Sequence, residues 1–316
     1  MATDDRLIIN TSQAECRRSW SINAHERSLA VRAVPLLHPD SRIATIGSCF
    51  AQEIKRRLKK LGYATLPRYP EDFDRNRLYA PQLGEHTNHY HSFCILQEME
   101  KISGLWVQAE DDYWEVPDSH IWQSGGSIWQ DPYRRSVYGR TLAEIQMFTR
   151  AIDAALNEGI RQADVIIITL GLVEAWRKKD NGRFAAAGPG WEQGGGKGKL
   201  AFHIISFEEN LANMRRALDL ISQVNARAHA VLTVSPVPLA MTRRDDGCIV
   251  ANMESKAILR AIAGQLARER SHVHYFPSYE IATYSPNPFC EDGRHVNEET
   301  VNLITQTFIN AFGMPA

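Results

Sequence analysis

Short apolar runs that alternate with long helical stretches constrain the fold of this chain more than any other feature of its sequence. Two of the runs, over 165–171 (VIIITLG) and 230–235 (AVLTVS), are almost entirely apolar, as strands covered on both faces should be. Similar runs lie over 42–48, 64–68 and 273–278. Because parallel strands need long crossovers, usually helices, the alternation predicts a five-stranded parallel sheet with crossover helices.

Apolar residues at helical spacing predict these crossovers. The first helix follows the first strand, ends near Gly62, and has an apolar face made of Phe50, Ile54, Leu58 and Leu61. Further helices are predicted over 92–103, 141–161, 206–224, 252–270 and 297–312.

Two regions break the alternation. Residues 105–139 hold four tryptophans with several glycines and prolines but no sustained period, which favours an inserted cap. Residues 180–199 are rich in glycine and predict a mobile loop. We therefore expect an N-terminal extension over 1–41 and one α/β domain over 42–316, with a cap insertion at 105–139.

The composition argues against several classes of function. The 316 residues carry 36 Lys and Arg against 37 Asp and Glu, so we expect no nucleic-acid partner. Residues 1–16 lack the basic start and apolar stretch of a secretory signal, and no apolar run approaches the roughly 20 residues of a membrane span. We expect a cytoplasmic protein with no membrane span. Five scattered cysteines without a C-x-x-C pair predict reduced thiols and no structural zinc site. We expect no metal and no cofactor.

Gly47 and Ser48 stand where the first strand ends and the first helix begins. Loops converge at the carboxyl ends of parallel strands, and helix N-termini point at the ligand there. Ser48 is therefore a candidate nucleophile. The alternative is that Ser48 is an N-cap, a role that serine favours.

Asp292 and His295 form a D-x-x-H pair just before the last predicted helix. One turn can present both side chains, so the aspartate can fix the imidazole tautomer and leave the other ring nitrogen to deprotonate a serine. The alternative is a helix start, with Asp292 as the cap and His295 as an exposed side chain.

A Gly-Ser pair that ends the first strand and a D-x-x-H pair after the fifth follow the order of SGNH hydrolases. The sequence GSCFA at 47–51 is the signature of the GSCFA family, and the chain resembles this branch of SGNH hydrolases from about residue 42 to 312. Further segments that carry the resemblance are NHYHS (88–92), DPY (131–133), GLVEAW (171–176), SPVP (235–238), SKA (255–257) and DGRH (292–295).

The resemblance implies a three-layer, flavodoxin-like α/β/α sandwich. It also implies that Ser48 attacks an acyl carbonyl, that His295 takes the proton, and that Asp292 orients His295. Enzymes of this type bind the oxyanion with the N–H of the nucleophile, a glycine N–H and an asparagine side chain.

The segment that follows the third predicted strand departs from this pattern. It normally reads G-x-N-D, whereas this chain has GLVE from Gly171, so Val173 replaces the asparagine donor. Asn88 is our candidate replacement, and a turn asparagine is the equal alternative. Gly84 is a further candidate for a backbone donor, and Gly171 is assigned to the same oxyanion or substrate-binding set.

Glu174 and Trp176 follow the third strand and should face the same cleft. Glu174 could bind a sugar hydroxyl or steady the segment around Asn88, and Trp176 could stack on a sugar ring. The alternatives are a buried glutamate paired with Arg or Lys, and a core tryptophan.

His91 could line the cleft. Together with His86 and His89 it has near-alternating spacing, but no carboxylate or cysteine nearby has matching spacing for a metal site. Cys49 adjoins Ser48, and we interpret it as a small core residue rather than a thiol nucleophile.

Two classes of function follow from these predictions. The first is a serine esterase or O-acyltransferase that acts on a small-molecule or glycan ester, such as an acetylated carbohydrate, through a seryl ester. The second is a non-catalytic glycan-binding protein, or a partner in polysaccharide assembly, on the same fold. The presence of Ser48, Asp292 and His295 favours the first.

Overall fold

The computed structural model describes residues 31, 33–68, 88–118, 123–188 and 196–314. Its first elements are β1 (Arg42–Gly47), α1 (Cys49–Lys60), β2 (Ala64–Leu66), α2 (Ser92–Ile102), β3 (Trp114–Pro117), β4 (Ser127–Gln130), β5 (Tyr138–Gly139) and α3 (Leu142–Gln162). The chain continues through β6 (Val165–Leu170), β7 (Glu174–Lys178), β8 (Phe184–Ala185), β9 (Leu200–Ile204), α4 (Phe207–Val224), β10 (His229–Val234), α5 (Cys248–Glu269), β11 (Val273–Phe276), α6 (Ser278–Tyr284) and α7 (Glu298–Phe312).

The central sheet has the order β11-β10-β6-β1-β2, and all its strand pairs are parallel. The register places Gly47, Thr169 and Thr233 in one row across three strands. The carboxyl ends of β1, β6 and β10 therefore lie side by side, and the segments that follow them can build one site.

Helices cover both faces of this sheet. Apolar residues of α2, α3, α4 and α5 pack against one face in a large buried cluster. A second cluster joins α1, α6 and α7 to the other face. The predicted three-layer α/β/α sandwich is thus confirmed. Within the described ranges, no helix is both long enough and apolar enough to cross a bilayer.

The helices differ from the predictions in three places: two boundaries have moved, and one short helix is additional. Leu61 is 57% exposed because α1 ends at Lys60 and Gly62 takes a positive φ. Helix α5 begins at Cys248 rather than near 252, and its first turn includes exposed apolar residues that hide the core period. Helix α6, with only seven residues, is too short to show a period and was not predicted.

Two small antiparallel sheets lie outside the central one. Strands β3, β4 and β5 form a sheet within the region predicted as a cap, and β7 pairs with β8 and β9 in the other. A buried cluster that includes Trp114 and Leu200 joins them. The predicted glycine loop over 180–199 contains β8, and its residues 189–195 lie outside the described ranges.

The end of the predicted N-terminal extension is attached to the α/β domain. The backbone N–H of Val34 donates to the carbonyl of Ala311 at 2.8 Å, and Leu37 donates to Phe312 at the same distance. Residues 34–37 therefore pack beside the end of α7.

Candidate active site

Ser48 occupies the N-cap position of α1, but its hydroxyl does not cap the helix. The residue is 2% exposed, and Oγ has no hydrogen-bond partner within the described ranges. Its backbone N–H donates to the carbonyl of Thr169 at 3.0 Å. A buried hydroxyl without a partner is unfavourable, so this position needs an explanation beyond capping.

Gly47 allows β1 and β6 to approach closely at this point. Its φ is +131°, and a Cβ atom built on it would lie 2.1 Å from the carbonyl oxygen of Thr169. Only glycine fits such a conformation and such a contact. Gly47 therefore sets where Ser48 leaves the sheet.

The segment that starts at Asn88 runs beside the end of β1. Asn88 forms a parallel bridge with Gly47, and the N–H of His89 donates to the Gly47 carbonyl at 2.6 Å. Asn88 is buried, its Nδ2 donates to Tyr90 Oη at a long 3.4 Å, and its Oδ1 has no partner within the described ranges. The backbone of Asn88 therefore lies beside the residue that precedes Ser48, and its side-chain amide makes only one long hydrogen bond among the described residues.

Gly171 packs directly against Ser48 and the Tyr90 backbone. A Cβ on Gly171 would lie 3.2 Å from the Ser48 Cβ and 2.7 Å from the Tyr90 carbonyl oxygen. Leu172 donates its N–H to that same carbonyl at 2.7 Å. The structure thus brings Ser48, Asn88 and Gly171 close together, and their role in oxyanion binding stays a prediction.

Asp292 and His295 are paired as predicted. His295 Nδ1 is hydrogen-bonded to Asp292 Oδ2, and Asp292 Oδ1 accepts the backbone N–H groups of Arg294 and His295, each at 2.9 Å. The hydrogen bond from His295 is the main cause that lowers the pKa of Asp292 to about 2.

The structure does not join this pair to Ser48. The side chain of His295 is 59% exposed, and Ser48 Oγ contacts no hydrogen-bonding group in the described part of the chain. The catalytic triad therefore stays a prediction.

Lys256 ties the loops around the site together and was given no role from the sequence. Its Nζ donates to the carbonyls of Gly171 at 2.9 Å and Val237 at 3.0 Å. The D-G-R-H segment reaches the same loop, because Arg294 Nε donates to the carbonyl of Pro238 at 3.2 Å. Burial lowers the pKa of Lys256 to about 7. The sequence signals for it are its place in the SKA segment at 255–257 and its position on the buried stripe of α5, between Ser255 and Leu259.

Glu174 and Trp176 have structural partners. Glu174 Oε1 lies 3.0 Å from Arg244 Nε and accepts a hydrogen bond from Thr242 Oγ1 at 2.7 Å. This is the buried ion pair weighed as the alternative. Trp176 packs against Phe202 with ring centroids 5.2 Å apart.

The histidines are held by neighbouring groups. His91 caps α2 by accepting from the N–H of Cys94 at its Nδ1, and its Nε2 lies 3.2 Å from the carbonyl oxygen of Ala185. Burial lowers the pKa of His91 to about 4, so the ring is neutral. His89 binds Glu98 at 3.0 Å.

Gly84 and His86 lie outside the described residues. Within the described ranges, no group of three or more His, Cys, Asp or Glu side chains could hold a metal ion.

Comparison with known families decides the relationship of the chain. The model of the GSCFA family matches residues 42–308. The chain belongs to the GSCFA family. No curated protein matches it in sequence.

Solved structures similar to this GSCFA protein are distant from it in sequence. A family 3 carbohydrate esterase from Clostridium thermocellum is 12% identical with a TM-score of 0.36, and 86% of this chain and 94% of that one are covered. A family 3 carbohydrate esterase from Talaromyces cellulolyticus is 11% identical with a TM-score of 0.38, over 85% and 94% of the two chains.

The GSCFA signature itself has a physical explanation in this fold. Gly47 permits the close approach to β6, and Ser48 stands at the helix start with its hydroxyl unpaired among the described residues. Phe50 and Ala51 are buried in the core under α1. Cys49 is half-buried, and burial raises the pKa of its thiol, which disfavours the thiolate.

Proposed function

We propose that this GSCFA protein is a serine-dependent ester hydrolase or O-acyltransferase of the SGNH type. Its substrates would be small-molecule or glycan esters, with acetylated carbohydrates as the first candidates. The observation that carries the proposal is the Ser48 hydroxyl, which is buried at the strand–helix junction, does not cap α1, and has no partner among the described residues.

The proposed reaction begins with attack of Ser48 Oγ on the acyl carbonyl carbon. Nε2 of His295 accepts the hydroxyl proton, and Asp292 keeps the other ring nitrogen protonated. The carbonyl electron pair moves onto oxygen, and collapse of that oxyanion expels the alcohol, which takes the proton back from His295. Water or an acceptor hydroxyl then attacks the seryl ester and gives its proton to His295. The bond between Ser48 Oγ and the acyl carbon breaks, Oγ takes that proton back, and the acid or the new ester leaves.

The oxyanion needs hydrogen-bond donors near Ser48. The N–H of Ser48 is already bonded to Thr169, so we assign the main donor role to the side-chain amide of Asn88. The positive N-terminal end of α1 favours the same negative charge.

The proposal requires movement of His295. In the described conformation its ring is largely exposed and makes no contact with Ser48 Oγ. The D-G-R-H segment must therefore close on Ser48 in the substrate complex, as catalytic contacts often do only when substrate is bound.

The exposure of His295 is also the observation that favours the second candidate, a non-catalytic glycan-binding protein. Two assays separate the candidates: hydrolysis of p-nitrophenyl acetate, and labelling by a fluorophosphonate located by mass spectrometry. We expect turnover and an adduct on Ser48 in the wild type. Both should be lost in Ser48→Ala but kept in Ser222→Ala, which changes a partly buried serine of α4. Equal turnover in wild type and Ser48→Ala would reject the enzyme.

A further inference from the structure

Arg294 lacks the carboxylate partner that most other partly buried arginines in the described part of the chain have. Its Nε donates to the carbonyl of Pro238 at 3.2 Å, and it contacts no carboxylate within the described ranges. Partly buried arginines that contact a carboxylate are Arg42, Arg57, Arg183, Arg215, Arg244, Arg260 and Arg270, and the fully buried Arg134 does so too. The two terminal nitrogens of Arg294 are therefore available to a ligand.

Lys256 is a second basic side chain at the same place that contacts no carboxylate among the described residues. Its Nζ donates to the carbonyls of Gly171 and Val237, and the residue is 1% exposed. Val237 and Pro238 are neighbours in sequence, so Lys256 and Arg294 hold adjacent carbonyls of one loop. Burial lowers the pKa of Lys256, and the positive charge of Arg294 acts in the same direction.

Both basic side chains are bonded to loops around the candidate nucleophile. Gly171, whose carbonyl binds Lys256, packs against Ser48. Burial raises the pKa of the neighbouring Cys49 thiol, and Arg294, Arg135 and Lys256 oppose that rise. The carboxylate nearest to Arg294 in sequence, Asp292, is bonded to His295 and to backbone N–H groups.

We propose that the ester substrate carries a carboxylate, which Arg294 binds through its terminal nitrogens beside the buried side chain of Lys256. The inference rests on the proposed esterase function. Partly buried cations without anionic partners are unfavourable, and an anionic ligand would compensate them. The planar fork of a guanidinium matches the two oxygens of a carboxylate.

The carboxylate could belong to either half of the ester, so the test uses two matched pairs of substrates. The first pair is 4-acetoxybenzoate and 4-acetoxybenzamide, which differ in charge on the alcohol side. The second is the 4-methylumbelliferyl monoester of adipic acid and its adipamate analogue, which differ in charge on the acyl side. Each pair keeps the ester and the leaving group chemically similar.

The decisive variant is Arg294→Gln, with Arg215→Gln as the matched control because Arg215 already pairs with Glu269. We expect the wild type to prefer the anionic member of one pair by roughly tenfold or more in kcat/KM, mainly through KM, the scale of one charge-assisted hydrogen bond. Arg294→Gln should remove that preference, whereas Arg215→Gln should keep it. Higher salt should reduce the preference in the wild type.

Two results would overturn the inference. One is a wild type that hydrolyses both members of each pair equally. The other is an Arg294→Gln protein that loses the same activity on neutral and anionic esters, which would assign Arg294 to the oxyanion or to loop positioning. Arg294→Lys keeps the charge, so if Arg294→Gln fails to fold, Arg294→Lys must keep part of the preference. Absence of turnover on all four esters, with no labelling of Ser48, would reject the proposed function and this inference with it.

Discussion

The ammonium of Lys256 donates a hydrogen bond to the carbonyl of Gly171 at 2.9 Å. It also donates to Val237 at 3.0 Å, so one buried cation joins the turn after β6 to the turn after β10. Gly171 in turn packs against Ser48. The position of the candidate nucleophile therefore depends on Lys256, a residue of α5 that lies outside both turns.

Stability should rise with pH because of Lys256. Burial lowers its pKa to about 7 in the folded protein, against about 10.4 in the unfolded chain. Between these values the unfolded state binds more protons, so raising the pH favours folding. Relative to Lys256→Met, the free energy of unfolding of the wild type should increase by about 2 kcal/mol from pH 7 to pH 9. Urea titrations at both pH values measure this.

The exposed Lys199 provides the control for this experiment. Lys199→Met should follow the wild type at both pH values, since this side chain lies on the surface. A difference between wild type and Lys256→Met that stays constant from pH 7 to pH 9 would show that Lys256 does not titrate in this window.

Gly47→Ala should destabilise the protein by about 3 kcal/mol or more, because strain at positive φ adds to a clash with the Thr169 carbonyl. Gly104→Ala is the matched control: its φ of +72° is also positive, but nothing lies within 4 Å of the added Cβ. The control should lose only about 1 kcal/mol. Urea unfolding of the two variants compares them directly, and equal losses would mean that β1 and β6 can separate at little cost.

Asp292→Asn should lower kcat for p-nitrophenyl acetate by roughly 100-fold or more. An amide oxygen can still accept the N–H groups of Arg294 and His295, but an amide nitrogen cannot accept the proton of His295 Nδ1. The control is Glu291→Gln, the same type of change at the preceding exposed position. If both variants keep wild-type turnover, His295 does not act with Asp292 in the reaction.

Asn88→Ala should lower kcat by roughly 100-fold or more, the scale for loss of one oxyanion donor, with a smaller effect on KM. Asn213→Ala, at a buried asparagine of α4 that donates to Ser92, is the control for loss of a buried amide. Normal turnover in Asn88→Ala would assign oxyanion binding to other groups.

The central sheet could be predicted from the sequence because its strands are buried on both faces. The runs that became β6 and β10 are almost entirely apolar, as strands covered on both faces should be. The pairing of Asp292 with His295 was also predictable, since residues three apart in one turn meet whatever surrounds them. The small strands β5 and β8 have two residues each, which is too short to show the alternation of apolar and polar residues that predicts a strand.

The sequence by itself determined the layered sheet, the place of Ser48 at the end of β1, and the local Asp292–His295 pair, because apolar periodicity and short spacing are properties of neighbouring residues. Only the tertiary structure decided that the Ser48 hydroxyl does not cap α1, that Lys256 is buried between two carbonyls, and that Arg294 meets no carboxylate among the described residues. A lysine on a helix is normally solvated, and its burial follows from elements that are distant in sequence. Those contacts exist only once the turns after β6 and β10 meet.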